Sequence, residues 1–197
     1  MAERAADNLG MVCSRSLGLA VLALLAASEA RDTDGGAQRK EVPPPPPPLV
    51  MLSVLAGRAS VVQGEQTSTW TRATGRRSVE GEAYVEVGPG GEIELAWPGA
   101  ASVRARGPAA LEWDPERDVR VLRAHGLEAE ARRGSVTLYL PLGWRGRLEQ
   151  AALGLQELPT GELLVEHRGG KPLRLERESG GTARLESGQK RRLDAGR

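Results

Sequence analysis

Between Glu80 and Trp113 the chain reads EGEAYVEVGPGGEIELAWPGAASVRARGPAALEW, apolar and polar residues alternating and a Gly-Pro or Gly-Gly break falling every eight to ten residues. An extended backbone turns successive side chains to opposite faces, so this alternation predicts short strands with one face buried and one wet. Glycine and proline supply the backbone angles that reverse such a chain. The pattern continues on both sides. Ala83, Val85 and Val87 oppose Tyr84 and Glu86, and Ile93, Leu95 and Trp97 oppose Glu92 and Glu94. Further along, Leu127, Ala129 and Ala131 oppose Glu128 and Glu130, Val136, Leu138 and Leu140 oppose Thr137 and Tyr139, and Leu173 and Leu175 oppose Arg174. Earlier strands are expected over Leu49–Ala56, at Val61-Val62 and over Thr67–Thr71. The one helical candidate, around Arg147–Leu158, contains the strand-like Leu153-Gly154-Leu155.

Turns are expected at Gly88–Gly91, Pro98–Ala100, Gly107-Pro108, Arg132–Gly134, Pro159–Gly161, Gly169–Pro172 and Ser179–Gly181. The whole predicts about twelve short strands in an all-β, mostly antiparallel fold: a sandwich, jelly roll or stacked meander. Phenylalanine is absent, so the core must be built from Leu, Val and Ala with a few of the four Trp. A net charge of +1 points to no nucleic-acid partner.

The first 48 residues are different in kind. Met11–Arg15 is mildly basic, Leu17–Ala27 is continuously apolar, and Ser28-Glu29-Ala30 places small residues where a signal peptidase cuts. Residues 1–30 therefore read as a secretory signal peptide, or as an uncleaved anchor, starting at Met1 or Met11. The apolar run falls well short of the ~20 residues that a spanning helix needs. Cys13, the only cysteine, precedes that run, so a mature chain would hold no disulfide and no thiol. Residues 31–48 form a polar linker that ends in the proline run Pro43–Pro48, a stiff spacer or a docking site for a proline-binding module. Residues 49–197 are expected to form the β domain. Its location is expected to be periplasmic or secreted, with contact to a membrane only through the signal or anchor.

No catalytic device is expected. His125 and His167 lie in different strand segments, and Glu166 points away from its neighbour His167. Asp114-Pro115-Glu116-Arg117-Asp118 reads as a solvated turn, because the glycine and glutamate of a calcium loop are missing. Gly88–Gly91 leads into a strand rather than a helix, so no phosphate loop is expected, and no metal or cofactor either. Trp97 and Trp113 share the inward parity and should pack in the core. Trp70, among threonines, and Trp144, in a Pro-Leu-Gly-Trp turn, are the expected exposed anchors for a partner or a glycan. Arg76-Arg77 and Lys190-Arg191-Arg192 read as a solvated loop and a frayed tail that could touch acidic glycans or lipid headgroups.

The segment Gly88–Trp113, preceded by Val79-Glu80-Gly81, resembles the repeating core of the FecR-type extracytoplasmic domain, with the resemblance extending over Val61 to about Val121. Pro98-Gly99-Ala100 stands where that family has an Asp-Gly-Ser-like turn, and no cytoplasmic anti-sigma segment precedes the apolar run. The resemblance implies an all-β domain that works by contacting other proteins of the bacterial cell envelope. It implies no specific residue. The expected function is thus a non-catalytic interaction or signalling module with an envelope protein partner. The alternative is a carbohydrate-binding module that holds a glycan on exposed Trp70 or Trp144.

Overall fold

The computed structural model describes residues 49–194. The segments read as signal peptide and linker, and residues 195–197, lie outside the described residues. Thirteen strands follow in order: β1 (Val50–Ala56), β2 (Arg58–Gln63), β3 (Gln66–Thr71), β4 (Arg77–Val79), β5 (Ala83–Val87), β6 (Glu92–Trp97), β7 (Ala101–Trp113), β8 (Asp118–Leu140), β9 (Trp144–Glu157), β10 (Leu163–Gly170), β11 (Leu173–Arg177), β12 (Thr182–Leu185) and β13 (Lys190–Leu193). All pairings are antiparallel and join the strands into one open sheet. Among the described residues there is no α-helix, only single 3-10 turns at Arg72–Thr74 and Pro141–Gly143. The segment weighed as a helix is strand β9.

Three strands are longer than the alternation predicts. The expected turns at Gly107-Pro108 and Arg132–Gly134 do not reverse the chain. They are irregularities inside β7 and β8, where the pairing register shifts between Arg106 and Ala109 and between Ala131 and Ser135. Strands expected separately at Leu127–Ala131 and Val136–Leu140 are thus parts of one 23-residue strand. Fully extended, it would reach roughly 75 Å. A compact domain of this size has a radius of gyration of about 15 Å. The strand must bend, and bulges let it bend while keeping its partners.

The bends divide the sheet into three parts. In the central part, β6 pairs with β1 and with residues 101–106 of β7, residues 126–131 of β8 link β7 to the second half of β9, β9 pairs with β10, and β10 with β13. One wing runs β3-β2-β5 into residues 109–113 of β7 and the start of β8. The other runs from residues 135–140 of β8 through the start of β9 to β11 and β12. The wings meet where β8 returns upon itself, the Thr137 N–H donating to the Arg117 carbonyl at 3.1 Å.

Inward-facing residues from all three parts belong to one buried cluster, which includes Leu52, Val85, Ile93, Leu111, Leu138, Leu153 and Leu175. The in/out parity read from the sequence holds for these strands. Two basic clusters read as loop and tail take part instead: Arg77 opens β4, and Lys190-Arg191-Arg192 forms β13, paired with Glu166, Val165 and Leu164 of β10.

Gly107 marks the crossing from the central sheet to the first wing. Its N–H donates to the Gly91 carbonyl at 2.9 Å, and a Cβ added to it would overlap the Gly88 carbonyl oxygen. Backbone cannot yield as a flexible side chain does, so Gly107→Ala should destabilise by about 3 kcal/mol, at the upper end of overpacking costs. That corresponds to a fall of roughly 6–12 °C in Tm. Gly126→Ala, with nothing nearer than the Arg106 Cβ at 4.0 Å, should leave Tm unchanged or raise it. Thermal unfolding followed by circular dichroism compares the two, and equal melting of Gly107→Ala and wild type would refute the close-approach argument.

Candidate functional site

Trp70 and Trp144 do not stand out from the surface. Trp70 is 7% and Trp144 8% exposed, against 2% for Trp97 and Trp113, which pack in the core as their parity requires. The Trp70 indole N–H donates to Ser68 Oγ at 2.8 Å, and the Arg77 guanidinium lies 5.9 Å from its ring centroid. Trp144 donates to the Asp194 carbonyl at 3.3 Å and carries Arg177 at 5.7 Å. In each case a neighbouring strand brings a cation over the ring, a cation–π contact that also covers apolar surface. The threonines around Trp70 and the turn before Trp144 suggested exposure, but both rings lie on the inward parity, Trp70 on the edge strand β3 and Trp144 at the start of β9.

The chain's two tyrosines come together instead. An open groove of about 470 Å³ lies where the wings meet, between Tyr84 on β5 and Tyr139 on β8. Its base is a cross-strand row on the outer face of the first wing: Val62 opposes Tyr84, Tyr84 opposes Glu112, and Glu112 opposes Arg120. Arg120 Nη1 stands 3.6 Å from Glu112 Oε2. The Tyr139 hydroxyl donates to Asp118 Oδ2 at 3.3 Å, which fixes that ring as one wall. Glu82 and Asp114 add negative charge, and Trp113 also lines the groove, its indole N–H buried without a partner. The sequence placed Tyr84 and Tyr139 only as outward-facing residues of separate strands. Their meeting depends on the return of β8, which no local pattern encodes.

The acidic run is a turn. Asp114 Oδ1 accepts from the Asp118 N–H at 3.1 Å, and the Asp118 carbonyl accepts from the Asp114 N–H at 3.1 Å. Among the described residues no group of three or more His, Cys, Asp and Glu side chains is placed to hold a metal ion. The histidines are far apart in character. His125 is exposed on β8, whereas His167 on β10 is fully buried with neither ring nitrogen hydrogen-bonded.

Over the central sheet the wet face is an ordered charge ladder. Glu94 opposes Arg104 and Arg104 opposes Glu128, while Glu92 opposes Arg106 and Glu166 opposes Lys190. Arg168 reaches across Gly154 to Glu128 at 2.8 Å, and Lys190 reaches Glu166 at 3.1 Å. The hydrogen bond from Arg168 holds the Glu128 carboxyl below the usual range against the opposing effect of burial, and that from Lys190 does the same for Glu166. These groups are solvated, so the ladder sets register and polarity more than stability.

No family model, curated protein or solved structure matches this chain.

Two outcomes follow. His167→Leu removes a buried polar ring that has no partner and leaves a similar volume, so it should be neutral or stabilising by about 1 kcal/mol in urea unfolding. A loss above that would mean His167 has a bonding role. For Glu128, a carboxyl lowered by its partner stabilises above its unfolded value and loses that contribution as pH falls through its folded value. In a carboxyl-resolved NMR titration Glu128 should titrate below an ordinary glutamate, and Arg168→Gln should move the midpoint up.

Proposed function

We propose that this chain is an extracytoplasmic, non-catalytic β module resembling the FecR-type domain, which acts by contacting a protein of the bacterial cell envelope. Within this reading the two wings and the central sheet enclose the core as a β-sandwich, which presents sheet edges to a partner. The observation that carries the proposal is the β3 edge. Strand β3 pairs with β2 alone. Its sequence, Gln-Thr-Ser-Thr-Trp-Thr, has neither charge nor proline, and its first four residues are exposed. Proteins usually guard such edges with charge, proline or brevity. The other terminal strands follow that rule: β13 carries Lys190-Arg191-Arg192, β4 has three residues and β12 has four. An unguarded, β-prone edge suits strand addition by an extended segment of another protein.

Thr67→Lys/Thr69→Lys places two charges on exposed positions of that edge. The fold should keep its Tm within a few degrees, since surface changes cost about 0.5 kcal/mol or less. Saturable retention of an envelope protein on the immobilised chain should fall tenfold or more. Equal retention of the same protein by the variant would remove β3 as the contact.

The carbohydrate alternative moves to new residues. With Trp70 and Trp144 buried under arginines, the aromatic faces beside open space are those of Tyr84 and Tyr139 in the groove. Rings flanked by carboxylates and a guanidinium suit a sugar, with apolar faces stacking and polar groups bonding hydroxyls. In this reading Tyr84→Ala abolishes any spectral response to added polysaccharide, while Trp70→Phe leaves it. The reverse result would return the site to Trp70.

A further inference from the structure

Every directly opposed pair of charged residues on the central sheet and the first wing joins unlike signs. The second wing breaks the rule. There Arg174 of β11 stands between Arg147 of β9 on one side and Arg184 of β12 on the other. Like charges placed directly opposite are destabilising, and elsewhere this protein avoids them. The three side chains are 65%, 70% and 72% exposed. With neighbouring strands about 4.8 Å apart, they form a cationic row roughly 10 Å long.

The row is built from one repeated tripeptide. Arg147-Leu148-Glu149, Arg174-Leu175-Glu176 and Arg184-Leu185-Glu186 each bury the leucine and present the arginine and the glutamate on the same outer face. In each the arginine Nε lies 2.9–3.1 Å from the carboxylate two residues on. That contact occupies one of the five donors of a guanidinium. Because the strands are antiparallel, Glu176 falls on one side of the row and Glu149 and Glu186 on the other. Tyr139 stands in the next row, opposite Arg145, and both border an open depression of about 400 Å³ that includes Arg147 and Arg174.

We propose that this row binds a linear acidic polysaccharide, whose carboxylates or sulfates bond Arg147, Arg174 and Arg184 while its hydroxyls donate to the interleaved glutamates. Charge complementarity selects the anion, and the planar fork of arginine suits a carboxylate or sulfate. The glutamates select the sugar. A uniformly charged polymer such as polyphosphate would press its anions against Glu149, Glu176 and Glu186, whereas a glycan carries hydroxyl donors between its anionic groups. Tyr139 offers a ring face at the margin of the row. This goes beyond the protein-contact reading and stands whether or not that reading holds.

The test is calorimetric titration of the full chain, at low salt, with alginate oligosaccharide, dextran sulfate, neutral dextran and polyphosphate. Alginate or dextran sulfate should bind, the stronger of the two identifying the preferred anion. Affinity should weaken as salt is raised, and neutral dextran should not bind. Arg174→Gln should reduce affinity tenfold or more while keeping or raising Tm, because it relieves the repulsion, a result that misfolding could not mimic. Arg147→Gln/Arg184→Gln should lose affinity likewise. Lys190→Gln/Arg191→Gln/Arg192→Gln, on β13, should bind as wild type. The proposal is overturned by absence of binding to both acidic glycans, by tighter binding of polyphosphate, by wild-type affinity in Arg174→Gln, or by loss of binding in the β13 variant.

Discussion

A 23-residue strand inside a domain far narrower than its extended length is the constraint on which the rest depends. Strand β8 pairs along both its sides, with β7 and with β9, and contributes to all three parts of the sheet. It can curve without losing those partners only at register shifts. It can curve tightly only where the facing side chains are small. The buried residues near its bends include Ala109 and Ala110 on β7, Ala124, Ala129 and Ala131 on β8, and Ala151 on β9, beside the larger Leu127 and Val136. With no phenylalanine to fill a wide interior, alanine lets the strands curve closely, and leucine and valine fill the space between bends. The contact of Gly107 with the backbone at Gly88 belongs to the same geometry, since β7 passes there from the central part of the sheet to the first wing with no room for a side chain.

The outer surface follows a second rule, set by charge. Opposed arginines and glutamates recur from β6 through β8, and Glu166 opposes Lys190 between β10 and β13, so these pairings are marked by sign as well as by apolar parity. A one-residue slip would turn the apolar set outward. The arginine row of the second wing is legible only against that background. It also shows why the surfaces discussed above differ in kind: an uncharged edge at β3, an aromatic groove where the wings meet, and a cationic strip on β9, β11 and β12.

Much of this architecture was readable from residue order. Alternation marked the inward residues of β5, β6 and β11, and the breaks at Pro98–Ala100 and Ser179–Gly181 are true reversals. The same reading took Gly107-Pro108 and Arg132–Gly134 for reversals, because a bulge and a turn call on the same residue types. It missed β4 and β13 because Arg77 and Lys190-Arg191-Arg192 are charged, and a strand at a sheet edge can be wet along much of its length. It placed Trp70 and Trp144 outside because the arginine over each ring, Arg77 on β4 and Arg177 on β11, is brought there by the folding of another strand. The thrice-repeated Arg-Leu-Glu was visible in the chain, but the tripeptide alone says only that a leucine is buried between two polar residues.

Residue order alone fixes the all-β class, the faces of the strands, the small-residue core and several of the positions where the chain reverses. These follow from side-chain periodicity and backbone sterics, which act between near neighbours. The pairing of distant strands settles which breaks are bends, that Tyr84 and Tyr139 share a groove, that Trp70 and Trp144 are covered, and that three arginines from three strands stand in one row. Those results depend on which strands pair and in what register. Pairing is settled by the whole chain burying one apolar core at once, and no local stretch carries that information.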